Sequence, residues 1–110
     1  MEITESSGIL ELELKNKNDN VVTVIEDDAL IEEIAKALSS KTRRQILNFI
    51  RDEPKDVSAI ANALEMTEAN ISAQIKKLEN SSLITCDYSS GLHGVRKISK
   101  LKHDAILLKL

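Results

Sequence analysis

The side chains with the clearest chemical purpose lie between Thr67 and Lys77. Thr67, Glu68, Asn70, Ser72, Ala73, Gln74, Lys76 and Lys77 are interleaved with Ile71, Ile75 and Leu78. The i, i+4, i+7 spacing of the three apolar residues makes a narrow buried stripe on a helix and leaves the polar set on the remaining faces. Asn and Gln amides pair bidentately with adenine edges, Ser and Thr hydroxyls donate to bases or phosphates, and lysines neutralise phosphates. The chemistry available is therefore the reading of duplex DNA. A solvated helix face has much the same composition, so the flanking elements decide between the two.

Those flanks supply a frame. Val57, Ile60, Ala61 and Leu64 make a second amphipathic pattern just upstream. Asp56 and Thr67 stand as N-caps of the two helices, and Glu65-Met66 leaves room only for a tight turn, which is the layout of a helix-turn-helix. Downstream, Leu83 to Tyr88 and Val95 to Leu101 are strand-like, with Gly91 and Gly94 in the loop between them, which predicts a tight hairpin. Arg96, Lys97, Lys100 and Lys102 cluster on and just beyond its returning strand. A helix-turn-helix followed at once by a basic hairpin is a winged helix, whose wing touches phosphates or the adjacent minor groove. His93 sits at the wing tip, as a minor-groove contact or a metal ligand.

Upstream, ILELEL (9 to 14) alternates with a period of two, and VVTVI (21 to 25) is a β-branched run. The polar KNKNDN between them predicts a hairpin. It must pack on the domain, on a third strand or on a second subunit, because two strands alone are marginal. A helix follows Asp27-Asp28, with Leu30, Ile31, Ile34, Ala35 and Leu38 apolar and acids in its first turn. Another begins with Ser40 as N-cap, buries Ile46, Leu47, Phe49 and Ile50, and stops before Pro54. The closing LKHDAILLKL reads as a strand with Ile106, Leu108 and Leu110 on one face, or as a helix with Leu101, Ala105 and Leu108. Its apolar character calls for a partner, and dimerisation is the simplest one.

The expected class is α+β, mainly helical: a winged helix-turn-helix at 27–101, with an N-terminal β-hairpin arm at 1–26 and a C-terminal dimerisation segment, strand or helix, at 102–110. With 110 residues the chain is one domain of modest core. Phe49 and Tyr88 are its only aromatics, which excludes a stacking platform for single strands. No apolar run approaches a membrane span, the acidic start lacks signal-peptide character, and a lone Cys86 suits a reducing, cytoplasmic setting. The net charge is -3. It divides unevenly: residues 1–40 carry ten acids and three bases, whereas residues 41–110 carry eight acids and twelve bases.

The segments ALSSKTRRQILNFI and TEANISAQIKKLENSSLI resemble the ArsR-type winged-helix regulators. Ala37, Leu38, Arg43, Ile46 and Leu47 fill the family's A-L-x-x-x-x-R-x-x-I-L pattern. Thr67, Ile71, Ser72, Ile75, Leu78, Leu83 and Ile84 correspond to its recognition helix and the following turn. The resemblance covers about residues 27–101. The family's glycine before the first wing strand is Ser82 here. Its cysteine pair for metal sensing is replaced by Asp56 and Ser58, so that metal site does not carry over, and no cofactor is expected. The N-terminal hairpin is not a standard family feature. What the resemblance implies is operator binding by a homodimer, usually in repression, with the first and last elements at the dimer interface.

Several residues have two readings. Arg43 serves either a salt bridge to the acidic first helix or a phosphate. His103 is a weak metal candidate, since neither paired cysteines nor H-x-x-x-H spacing occurs. Cys86 reads as a small buried residue before a redox sensor. No nucleophile motif or phosphate loop points to an enzyme. The function expected is DNA binding, with specificity from Asn70, Ser72, Ala73 and Gln74 and affinity from Lys76, Lys77, Arg96 and Lys97. The competing reading is a winged helix used for protein contact within a larger complex.

Overall fold

The computed structural model describes residues 9–16, 18–91 and 94–110. In chain order its elements are β1 (Glu11–Lys15), β2 (Val22–Ile25), α1 (Asp28–Leu38), α2 (Lys41–Phe49), β3 (Lys55–Asp56), α3 (Val57–Leu64), α4 (Glu68–Asn80), β4 (Ile84–Gly91), β5 (Gly94–Leu101) and β6 (Ala105–Lys109). Each helix starts on a side-chain cap. Asp27 accepts from Ala29 N–H at 3.0 Å, Ser40 from Arg43 at 3.3 Å, Asp56 from Ala59 at 2.8 Å and Thr67 from Asn70 at 3.1 Å. These oxygens occupy first-turn amides that have no partner within the helix.

Two helix ends adopt the left-handed conformation without a glycine, at Glu65 (φ 55°) and Ser82 (φ 65°). After each, the next amide reaches back into the helix: Met66 N–H to Ala61 O at 3.0 Å and Leu83 N–H to Leu78 O at 3.2 Å. Both ends are thus closed by the same reverse turn. The first packs α3 against α4. The second, at Ser82, turns the chain out of α4 into β4 by taking the conformation a glycine takes more easily.

The wing is a three-stranded antiparallel sheet of order β3-β5-β4. Its register runs from Ile84 opposite Leu101 to Gly91 opposite Gly94, so β4 continues three residues past the Tyr88 expected from sequence. β3 was not expected. It pairs Lys55 with Ser99 and Asp56 with Ile98, and two residues merging into a helix cap carry no periodicity to betray them.

The second sheet has the order β2-β1-β6. The hairpin pairs Leu12 with Ile25, and β6 runs antiparallel along the other edge of β1, with Leu12 opposite Leu108 and Leu14 opposite Ile106. The closing segment is therefore a strand, because β1 offers it an edge to bond. Strands contribute nearly as many residues as helices, which corrects the expectation of a mainly helical chain. The core is almost wholly aliphatic: Leu12 and Leu14 from β1 join Ile34 of α1, Ile46 of α2, Ile60 of α3, and Ile71, Ile75 and Leu78 of α4.

Candidate nucleic-acid interface

α4 is anchored on one side. Ile71, Ile75 and Leu78 have no exposed surface at all. Opposite them Ala69, Asn70, Ser72, Ala73, Lys76, Lys77 and Asn80 are exposed. Ala69 and Asn80 were absent from the expected contact set. Their helical phase points them as squarely outward as Ala73, but Ala69 offers no polar group and Asn80 lies at the helix end. Thr67 and Glu68 are exposed at the helix start, where the Thr67 hydroxyl serves as cap and Glu68 accepts from Ser58 Oγ at 3.0 Å.

Gln74 and Arg43 sit differently from the rest. Gln74 is half-buried at the flank of α4, facing α2. Its Oε1 accepts from Arg43 Nη1 at 2.8 Å, and its amide nitrogen donates to Asn70 Oδ1 at 3.2 Å. Arg43 also donates through Nε to Ala37 O at 2.8 Å and through Nη2 to Lys36 O at 2.9 Å. The expected salt bridge from Arg43 to an acid of α1 is thus replaced by a clamp on the last carbonyls of that helix. The physical reason is the negative end of the α1 dipole, whose carbonyls lack partners within the helix. Arg44 does the same at Leu38 O, at 2.8 Å.

The wing cations are paired. Arg96 Nε donates to Asp56 Oδ2 at 2.7 Å, with its Nη2 on the same oxygen. Lys97 meets Glu79 at 2.7 Å, and Lys100 lies 3.8 Å from Asp87. The Ala59 amide and then the Arg96 guanidinium hold the Asp56 carboxyl below the usual carboxylate range. The hydrogen bond from Lys97 lowers Glu79 in the same way, and that bond raises the Lys97 ammonium. By contrast, Lys76 and Lys77 form no ion pair among the described residues. His93 lies outside the described residues.

The remaining candidates are structural. Cys86 is half-buried with its Sγ 3.3 Å from Ser99 Oγ, and burial pushes its thiol up, away from the reactive thiolate. Burial also lowers the pKa of His103, helped by Lys102 beside it. Among the described residues no group of three His, Cys, Asp or Glu side chains is placed to hold a metal ion, and no helix is long and apolar enough to cross a membrane.

Residues 40–85 match the family model described as bacterial regulatory protein, arsR family. Comparison with curated protein sequences gave no match. Among solved structures, the chain is similar to the homodimeric winged helix-turn-helix DNA-binding domain of a possible ArsR-family regulator from Mycobacterium bovis. The identity is 25%, with a TM-score of 0.60, over 66% of this chain and 64% of that one. It is also similar to an ArsR family transcriptional regulator at 27% identity and a TM-score of 0.58, over 68% of this chain and 78% of that one. HlyU from Vibrio cholerae shares the fold at 20% identity and a TM-score of 0.59, over 66% and 75% of the two chains.

Proposed function

Because the chain is an ArsR-type winged helix-turn-helix protein over residues 40–85, we propose that it binds duplex DNA sequence-specifically as a homodimeric transcriptional regulator, in the cytoplasm, and represses. α4 enters the major groove, with Asn70, Ser72 and Ala73 against base edges and Lys76 and Lys77 on phosphates. Thr67 and Glu68 border the groove at the helix start. Gln74 stands behind Asn70, which the hydrogen bond between their amides orients toward the bases. Arg43 holds Gln74 in place from α2. Arg96 and Lys97 lie against the adjacent backbone. In a dimer the two α4 helices meet successive major grooves, so the operator has two-fold symmetry with half-sites one helical turn apart.

The observation that carries this reading is the outer face of α4: rigidly seated from beneath, free of large apolar groups, and ending in two lysines without acidic partners. A titration of upstream duplex against unrelated duplex at equal salt tests it. Tighter binding to the upstream DNA, weakening steeply with salt, is the expected result. Equal binding to both at every salt concentration refutes sequence reading.

A second reading has its own observation. Every wing cation described above has an acidic partner, which suits a winged helix used for protein contact. It predicts no binding of either duplex even at low salt.

A further inference from the structure

The β2-β1-β6 sheet ends on two open edges, and they differ in what they would tolerate. Along β6 every residue is exposed: Ile106, Leu107 and Leu108 keep 36%, 44% and 46% of their surface. An exposed edge of apolar residues presents unpaired N–H and C=O groups, and natural proteins normally guard it with charge, proline or a bulge. β6 has no such guard. Its one charge, Lys109, is turned onto its own sheet, 3.0 Å from Glu11 and 2.7 Å from Glu13.

We infer that β6 pairs antiparallel with β6 of a second copy, joining the two three-stranded sheets into one of six strands across a two-fold axis at Leu107. The inference rests on the homodimer proposed above and specifies how it is built. A two-fold contact must be self-complementary, and this register is. Leu107 faces Leu107 of the partner subunit, Ile106 faces the partner's Leu108, and Lys109 faces the partner's Ala105, so no like charges oppose. The same operation on the other edge fails. Pairing β2 with its copy about Thr23 and Val24 sets Asp19 against the partner's Asp28, and Asn20 against the partner's Asp27. Like charges directly opposite each other across strands are destabilising.

The groove beside this edge agrees with that choice. Leu10, Leu12, Ile31, Leu38, Ile106 and Leu108 line an apolar trough between α1 and the sheet. Ile106 and Leu108 form its rim on the β6 side, so extending the sheet past β6 sets the partner's Ile106 and Leu108 beside the trough and continues its floor.

Sedimentation velocity on the whole chain, with two variants, tests the pairing. Leu107→Lys puts like charges face to face at the axis and is expected to convert a dimer to a monomer, while far-ultraviolet circular dichroism and the melting temperature stay near those of the parent. Val24→Lys, at a comparably exposed site on the far edge, is expected to remain a dimer. In a Cys86→Ala background, Leu107→Cys places two thiols at the axis and is expected to give a covalent dimer under mild oxidant. A parent chain that stays dimeric through Leu107→Lys and fails to cross-link through Leu107→Cys overturns the β6 pairing while leaving the homodimer in place. A monomeric parent at concentrations well above those used for DNA binding overturns both.

Discussion

The outer face of α4 and the returning strand of the wing carry similar basic residues, but only α4 offers them unpaired. Lys76 and Lys77 stand free of ion pairs among the described residues, whereas Arg96, Lys97 and Lys100 face Asp56, Glu79 and Asp87. Two of those acids belong to neighbouring elements, Asp56 as the cap of α3 and Glu79 on α4 itself. Counting lysines along a strand thus overstates the charge a phosphate can reach. An incoming phosphate must compete with a carboxylate at the wing and with water alone at α4.

The comparison depends first on α4 being held rigidly. Ile75→Ala removes a fully buried side chain beneath it, and a loss of about 2 to 5 kcal/mol is expected in urea denaturation. A loss below about 1 kcal/mol would mean that α4 is not seated as described. The clamp from α2 comes next. Arg43→Lys gives up the planar fork that reaches Ala37 O, Lys36 O and Gln74 Oε1, and a cost of about 1 to 3 kcal/mol is expected by the same measurement. If instead stability held while the salt slope of DNA binding fell, Arg43 would be a phosphate contact.

The charge contrast itself is read from salt dependence. Replacing Lys76 and Lys77 together with Ala should flatten the plot of log affinity against log salt by about 1.8, or about 0.9 for each phosphate released. Lys97→Ala should change it by less, and Glu79→Gln, which frees Lys97, should tighten DNA binding. Equal slopes for the α4 and wing variants would erase the distinction between them.

The joint between the two regions is Ser82. Ser82→Gly relieves a left-handed residue and should stabilise the fold by about 1 kcal/mol, seen as a raised melting temperature. The smallest effect belongs to the Glu79–Lys97 pair, which is partly exposed and worth well under about 1 kcal/mol. Glu79 has a lowered pKa in the fold, so its contribution is present above the unfolded value and disappears as pH falls through the folded one. The stabilities of the parent and Glu79→Gln should differ slightly at pH 7 and converge below about pH 4.

Much of the architecture was legible residue by residue. Asp56 and Thr67 announced two helix starts, Ile71, Ile75 and Leu78 gave the buried side of α4, and Gly91 with Gly94 placed the wing hairpin. These are local signals, set by caps, periodicity and turn chemistry over a few residues, and local signals survive without knowledge of the fold. The role of Arg43 was not legible, because the carbonyls it clamps and the amide it holds lie on two other helices. β3 escaped notice for the same reason, since two residues become a strand only when β5 lies alongside.

The amino-acid sequence by itself determined the helix-turn-helix, its caps, its aliphatic core and the outward phase of the polar residues on α4. Only the tertiary structure decided which cations remain available, which residue orients Gln74, and that the apolar closing segment is a strand on β1. A cap or a helical phase depends on neighbours within a turn or two. Charge neutralisation and strand pairing depend on partners brought together by folding, as Asp56 and Arg96 are, and such partners leave no trace in local spacing.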